Sequence, residues 1–245
     1  MSETGHPDPG TGAGSPSRRF YSRLRAAIMN GEFAPQQALK PQELASDAGV
    51  SLAVAREGLL RLVAEGLAVR LPNRGFATPA ADAARWQTIA EARSVVEPAV
   101  LRLSVTRGDL EWEALVRAAH HRLARTPARS DGQARVSAAW SEAHRVFHRA
   151  LLDGCGNDVL LDSVGQLWTA SELARHWSGS FDPGRDAAAE HAALEAAALD
   201  RDPDRAAGLL ARHVTRTTAV LASEGRRAHA ARPVSPEGGP GSAAS

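Results

Sequence analysis

The segment from Pro41 to Ala77 places the strongest limits on how this chain can fold. Pro41 to Gly49 reads as a short helix that Gly49 stops, because glycine readily adopts the left-handed conformation that ends helices. Ser51 is a preferred N-cap residue, and the apolar spacing behind it predicts a second helix to about Gly66. Two helices joined by a short glycine-containing turn are typical of a helix-turn-helix.

A short β signal follows these two helices. Residues 68–71 and 76–78 are brief strand-like runs around Pro72-Asn73-Arg74-Gly75, which predicts a hairpin. The hairpin would be the wing of a winged helix-turn-helix whose second helix enters the major groove of DNA. We therefore expect DNA contacts from Ser51 and Arg56 near the start of the second helix and from Arg74 and Gly75 at the wing. Lys40, which directly precedes the first helix, is a further candidate.

The charge distribution agrees with a DNA-binding segment. Residues 18–80 carry nine Lys or Arg and five Asp or Glu, although the whole chain has a formal net charge of only +1. Arg56 is the strongest candidate for base recognition, because a guanidinium can bind guanine O6 and N7 together. The alternative is that Arg56 and Arg61 are ordinary solvated helix positions.

The remainder of the chain is expected to be helical. Residues 1–17 and 227–245 are rich in Gly, Pro, Ser and Ala, and this composition predicts disordered tails. Between them we predict a mainly α fold, with a winged helix-turn-helix domain at 18–80 and an all-helical bundle of six or seven helices at 84–225. One cysteine, Cys155, excludes an internal disulfide, and no signal peptide or membrane-spanning run is visible, so we expect a cytoplasmic protein.

Four histidines are spaced so that three helices could direct them to one point. His144 and His148 are four residues apart, on one face of a predicted helix. His191 lies nine residues before a predicted turn at 200–203 and His213 lies ten residues after it, about 13.5 and 15 Å along their helices. In an antiparallel hairpin they would be level, so the four imidazoles could form a metal site in the bundle core. The alternative is that each histidine caps, pairs or packs alone.

The N-terminal segment resembles the DNA-binding domain of GntR-family bacterial transcription regulators. The resemblance begins at Ile28-Met29-Asn30-Gly31 and runs to Phe76. It is carried by Val50, Ser51, Arg56, Glu57, Leu59, Asn73, Arg74 and Gly75. Many members have Arg-Thr-Pro or Arg-Gly-Pro after the serine, whereas this chain has Leu52-Ala53-Val54. The operator sequence therefore does not carry over from the family.

The C-terminal segment resembles the FCD effector domain of the FadR branch of that family. In such domains an aspartate and three histidines commonly bind a divalent metal beneath a carboxylate ligand. His148, His191 and His213 match the three histidines, and His144 stands where the aspartate is usual. Four neutral imidazoles leave the +2 charge of the metal uncompensated, which favours an anionic effector and favours Zn or Ni over a hard ion such as Mg²⁺.

Two arginines are candidates for binding the effector. The resemblance implies that Arg93 faces the cavity, and Arg175 is a second candidate; either could bind a carboxylate with two hydrogen bonds. The alternative for each is an ion pair within its own helix, Arg93 with Glu97 or Arg175 with Glu172. Residues 152–156, together with Leu167-Trp168 and Arg175, are also similar to a sub-branch of FCD domains that senses short dicarboxylates or hydroxy acids.

Two other functions compete with a metal-dependent sensor. A helical metalloenzyme would normally have metal-bound carboxylates and a nearby general acid or base, and the sequence has no H-E-x-x-H motif, His-Asp dipeptide or phosphate-binding glycine loop. A DNA-binding protein whose second domain only dimerises is the other alternative. The sequence favours a non-enzymatic, homodimeric regulator, most simply a repressor, that binds a near-palindromic operator, a divalent metal and a small carboxylate, without a membrane partner.

Overall fold

A computed structural model describes residues 15–72, 75–129, 136–178 and 185–230, with the side chains of 178 and 218–230 left out of the description. The chain divides into two compact units between Ala80 and Ala81.

The described part of the first unit combines three helices with a small sheet. Its elements are α1 (Pro16–Met29), β1 (Ala38–Leu39), α2 (Pro41–Ala48), α3 (Leu52–Ala64), β2 (Val69–Leu71) and β3 (Gly75–Ala77). The three strands are antiparallel in the order β1-β3-β2. The sequence did not reveal β1, because a strand of two residues has no periodicity of its own.

Capping residues set the geometry of the helix-turn-helix. Gly49 ends α2 with a φ of 64°, and the Ser51 hydroxyl accepts the Val54 N–H at 3.3 Å at the start of α3. Helix α3 packs closely on α1 at Gly58, where a Cβ atom would lie 2.8 Å from the Phe20 ring. The predicted winged helix-turn-helix architecture is confirmed, and it leaves the N-terminal end of α3 exposed.

The second unit contains six helices among the described residues. They are α4 (Ala83–Arg107), α5 (Leu110–Arg125), α6 (Ala138–Asp153), α7 (Asp158–Ser178), α8 (Ala187–Leu199) and α9 (Pro203–Ala230). The mainly α fold is therefore confirmed. Its core includes Leu101, Phe147, Leu151, Leu194 and Leu210, which are at most 1% exposed. None of the described helices combines the length and apolar character needed to cross a membrane.

Two tail boundaries differ from the sequence prediction. Helix α1 begins at Pro16, inside the segment predicted to be disordered, because the Ser15 side chain caps it and Pro16 occupies the first turn. Helix α9 continues to Ala230, beyond the predicted end at 225, because alanine and arginine favour helix strongly enough to offset Gly225. The predicted tails at residues 1–14 and 231–245 lie outside the described residues.

Candidate functional site

The exposed end of α3 carries the first candidate site. Arg56 is exposed on this helix, and no ion pair or hydrogen bond engages its side chain in the described part of the chain. Arg61, one and a half turns later, lies over the Tyr21 ring with 3.9 Å from its guanidinium carbon to the ring centroid. Arg56 is therefore available for an external partner, whereas Arg61 already stabilises the contact between α3 and α1.

Three of the other four residues predicted to contact DNA, Lys40, Ser51 and Gly75, belong to the described part of the chain. Lys40 is largely exposed and pairs with Glu43 at 2.7 Å, an exposed pair that phosphate could displace at small cost. Gly75 begins β3 with a φ of 85°, a conformation that suits glycine in a tight hairpin. Ser51 is exposed, and its hydroxyl serves as the cap of α3. Arg74 lies outside the described residues.

The four histidines predicted from the sequence meet in the second unit. His144 and His148 come from α6, His191 from α8 and His213 from α9. Each offers one ring nitrogen, and these nitrogens all lie within 4.8 Å of one another. All four side chains are buried, with 3–7% of each residue exposed. We call this group the histidine cluster.

The hydrogen bonding of the histidine cluster fits a bound cation. The Nδ1 atom of His144 and the Nε2 atoms of His148 and His191 are buried without a hydrogen-bond partner. A buried polar atom left unpaired costs about 1–3 kcal/mol, so three such atoms at one point suggest a ligand that satisfies them together. Imidazole nitrogens suit Zn²⁺ and Ni²⁺, and no carboxylate belongs to the set.

Burial keeps the rings of the histidine cluster neutral. Burial, reinforced by the charges of neighbouring imidazoles and arginines, lowers the pKa of His144 and of His148 well below the ordinary 6.5. The same causes lower the pKa of His191 to about 2. Burial also lowers the pKa of His213, although its hydrogen bond to Glu190 opposes the shift. Neutral rings keep the lone pairs that metal coordination requires.

His213 differs from the other three histidines because its Nδ1 atom has partners. The Glu190 Oε2 atom lies 2.9 Å from Nδ1, and the Arg185 Nη2 atom lies 3.0 Å from it. Burial would raise the pKa of Glu190, but hydrogen bonds from His213, Arg185 and Arg216 outweigh burial and hold that pKa well below its usual range. Sequence reasoning did not assign a role to Glu190 or Arg185, although Glu190 directly precedes His191.

Two tryptophans form walls beside the histidine cluster. The Trp140 ring stacks on His144, with centroids 4.6 Å apart and an angle of 14° between the planes. The Trp168 ring lies 4.8 Å from His148 and 5.3 Å from His144, centroid to centroid. The Trp168 Nε1–H is buried and has no acceptor among the described residues. It is thus a hydrogen-bond donor left free beside the cluster.

Arg93 lies next to Trp168 and is already paired. Its Nε atom donates to Glu97 Oε1 at 2.5 Å and its Nη1 atom donates to Ser171 Oγ at 2.6 Å. The guanidinium carbon lies 4.7 Å from the Trp168 ring centroid. Arg93 therefore forms the ion pair with Glu97 of its own helix, and Trp168 contacts both this arginine and the histidine cluster.

Arg175 has a matching arrangement beside the other tryptophan. It pairs with Glu172 at 2.5 Å, and its Nη2 atom donates to Ser141 Oγ at 3.1 Å. The guanidinium carbon lies 5.6 Å from the Trp140 ring centroid. Each candidate effector arginine thus flanks one tryptophan, but an incoming carboxylate would have to share or displace its partner.

Two family models match the chain, one for each unit. Residues 16–77 match the model for bacterial regulatory proteins of the gntR family. Residues 88–216 match the FCD domain, and this range includes all four members of the histidine cluster.

Curated relatives cover most of the chain. It is 32% identical over 203 residues to the uncharacterized HTH-type transcriptional regulator BphR of Paraburkholderia xenovorans (strain LB400), covering 82% of this chain and 83% of that protein. It is 31% identical over 199 residues to the HTH-type transcriptional repressor GlaR of Escherichia coli (strain K12), covering 79% of this chain and 90% of that protein.

Solved structures share the fold. The chain matches E. coli McbR/YncC with a TM-score of 0.72 and 21% identity, covering 86% of this chain and 99% of that one. It matches a transcriptional regulator GntR from Rhodococcus sp. RHA1 with a TM-score of 0.68 and 22% identity, covering 84% and 97% respectively. At these identities the likeness concerns the fold.

Proposed function

Because the chain belongs to the GntR family of bacterial regulatory proteins and carries an FCD domain, we propose that it is a homodimeric, cytoplasmic repressor controlled by a metal-dependent effector. It is a DNA-binding transcription regulator. The first unit would bind a near-palindromic operator, and the second would hold a divalent metal, Zn or Ni, together with a small carboxylate. The gntR family model and the curated relatives describe regulators, which supports a regulatory rather than a catalytic role.

The histidine cluster is the observation that carries the metal proposal. Four buried ring nitrogens within 4.8 Å of one another offer a complete set of neutral donors. His144, His148, His191 and His213 would hold the ion, which would supply a positive charge that attracts an anion. His144 replaces the usual aspartate, so the four ligands leave that charge at +2 and favour a carboxylate effector.

The surroundings of the histidine cluster support a carboxylate effector. The Trp168 Nε1–H is free to donate a hydrogen bond to an effector oxygen. Arg93 and Arg175 flank Trp168 and Trp140 and would contact the effector by sharing their carboxylate partners. The effector would change DNA affinity only to the extent that it binds the DNA-binding state and the DNA-free state of the protein with different affinities. We expect it to favour the DNA-free state and so to release the protein from the operator.

The metal proposal predicts selective thermal stabilisation. Metal-stripped protein should gain stability on addition of Zn²⁺ or Ni²⁺ but not Mg²⁺, because a ligand at about 100 times its Kd adds about 2.7 kcal/mol to the free energy of unfolding. Acetate or succinate should raise the melting temperature further only when Zn²⁺ or Ni²⁺ is present. Thermal denaturation followed by circular dichroism measures both effects. No shift with either metal, and no metal in the protein as purified, would favour the metal-free dimerisation domain instead.

The DNA proposal predicts a large effect from Arg56→Ala. Loss of the guanidinium should weaken binding to the operator by about 1–3 kcal/mol, or about 5–150-fold. The reason is that Arg56 is exposed on α3, the second helix of the helix-turn-helix, and has no ion pair or hydrogen bond within the described part of the chain. Fluorescence anisotropy on a duplex selected from a random-sequence pool measures this affinity at fixed salt. Arg117→Ala removes the same charge from an exposed position in the second unit and should leave affinity unchanged. Equal losses in both variants would refute the assignment.

A further inference from the structure

Glu190 connects the histidine cluster to charged groups around it. Its Oε2 atom lies 2.9 Å from His213 Nδ1. Its other oxygen, Oε1, accepts hydrogen bonds from Arg185 Nε at 3.1 Å and from Arg216 Nη1 at 2.9 Å. Arg185 is held in turn by the Thr217 hydroxyl, to which its Nη1 atom donates at 2.7 Å. The carboxylate of Glu190 therefore has a fixed position beside one imidazole.

The Nδ1 atom of His213 has two neighbours that require opposite tautomers. Glu190 can only accept, so its hydrogen bond requires the proton of the neutral ring on Nδ1. Arg185 can only donate, so a hydrogen bond from its Nη2 atom, 3.0 Å away, requires the proton on Nε2. A metal ligand needs a free lone pair on the nitrogen that faces the metal, and the second nitrogen of a metal-bound histidine usually donates to a carboxylate or carbonyl.

We propose that Glu190 is a positioning residue that holds the His213 proton on Nδ1 and so presents the Nε2 lone pair to the histidine cluster. This inference rests on the proposed metal site. Without the carboxylate, Arg185 would be the remaining neighbour of Nδ1. The preferred proton position would then be Nε2, where it blocks coordination.

The charge of Glu190 adds a second effect on metal affinity. In the part of the chain that the structure describes, it is the one carboxylate hydrogen-bonded to a member of the histidine cluster. A carboxylate that accepts from a ligating imidazole increases the basicity of that imidazole. Glu190 thus supplies, through His213, some of the negative charge that an aspartate ligand in place of His144 would have supplied directly.

The chain contains a closely matched control on the same helix. Glu195 of α8 accepts from His120 Nδ1 at 2.5 Å, and its side chain is 18% exposed, against 17% for Glu190. His120 is not a member of the histidine cluster. Glu190→Gln and Glu195→Gln therefore remove the same charge from the same kind of carboxylate–histidine pair, but only the first pair involves a proposed metal ligand.

The first readout requires no metal. Long-range ¹H–¹⁵N correlation spectra of the metal-stripped full chain report the tautomer of His213, assigned with a His213→Asn variant. We expect the Nδ1–H form in the wild type and in Glu195→Ala, and a shift toward the Nε2–H form in Glu190→Ala, which, unlike a glutamine variant, leaves no side-chain acceptor at position 190. A wild-type ring in the Nε2–H form, or an unchanged ring in Glu190→Ala, would overturn the inference.

The second readout is the affinity for Zn²⁺ or Ni²⁺ alone, measured by competition with a chelator. Glu190→Gln should bind about 10–100-fold more weakly than the wild type, whereas Glu195→Gln should bind as the wild type does. Glu190→Asp, which retains the carboxylate, should recover part of the affinity. Equal affinities in Glu190→Gln and Glu195→Gln would overturn this inference while leaving the metal site intact, whereas a wild type that binds neither metal would overturn both proposals.

Discussion

His148→Ala is expected to reduce the affinity for Zn²⁺ or Ni²⁺ by more than about 100-fold, since loss of a direct ligand should exceed the 10–100-fold effect of losing a supporting residue. His148 contributes one of the buried, unpartnered nitrogens of the histidine cluster. It is also 3% exposed, so water replaces the missing ligand poorly. Titration calorimetry of the metal-stripped protein measures the loss.

A second histidine and a second activity control this experiment. His121→Ala removes an exposed imidazole outside the histidine cluster and should leave metal affinity unchanged. Operator binding by the metal-stripped His148→Ala protein should match that of the metal-stripped wild type, which also shows that the chain is folded. If His148→Ala bound metal as tightly as the wild type, the cluster would not be the metal site.

Acidification is expected to destabilise the metal-free protein well before ordinary carboxylates titrate. In the folded state, burial depresses the pKa of His144, His148 and His191 far below 6.5. In the unfolded chain these rings take up protons near pH 6.5. The unfolded state therefore binds more protons as pH falls from about 7.5, and the stabilising contribution is lost progressively toward the low folded-state pKa values.

The size of this effect is measurable by urea denaturation. At pH 5.5 the His191 ring, whose pKa burial lowers to about 2, should reduce the free energy of unfolding by about 1.4 kcal/mol relative to pH 7.5, and His144 and His148 should add to this loss. His144→Asn should make the dependence on pH smaller, because it removes one of the buried rings whose pKa is lowered. A free energy of unfolding that stays constant between pH 7.5 and 5.5 would show that the rings are not held neutral.

Local sequence signals predict the helix-turn-helix of the DNA-binding unit. Gly49 and Ser51 act over a few residues, as a left-handed helix end and a side-chain cap. The same is true of Asp82, whose side chain caps the start of α4. Elements with weaker local signals were missed, such as the two-residue strand β1, which exists because Leu39 pairs with Phe76 across the sheet.

The histidine cluster could be predicted because the sequence spacing of residues on a helix determines where their side chains lie along and around the helix axis. The turn between α8 and α9 makes His191 and His213 level, and the spacing of four residues puts His144 and His148 on one face. Only the meeting of α6 with the α8–α9 pair required tertiary structure, and burial of Phe147 and Leu194 in the common core supplies it.

The surroundings of the histidine cluster were not predictable from spacing. Arg93 reaches Ser171, 78 residues away, and the tryptophan walls come from α6 and α7. Whether Arg93 and Arg175 pair with Glu97 and Glu172 was left open by the sequence, because an arginine can turn toward its own helix or toward a cavity. The structure has both ion pairs formed.

X-ray absorption spectroscopy of the Zn²⁺-loaded protein tests the central claim most directly. The four ring nitrogens of the histidine cluster predict a first shell of nitrogen at about 2.0–2.1 Å with the multiple scattering of three or four imidazoles. Loss of imidazole scattering in His148→Ala would assign that shell to this site. A first shell of oxygen without imidazole scattering in the wild type would contradict the account.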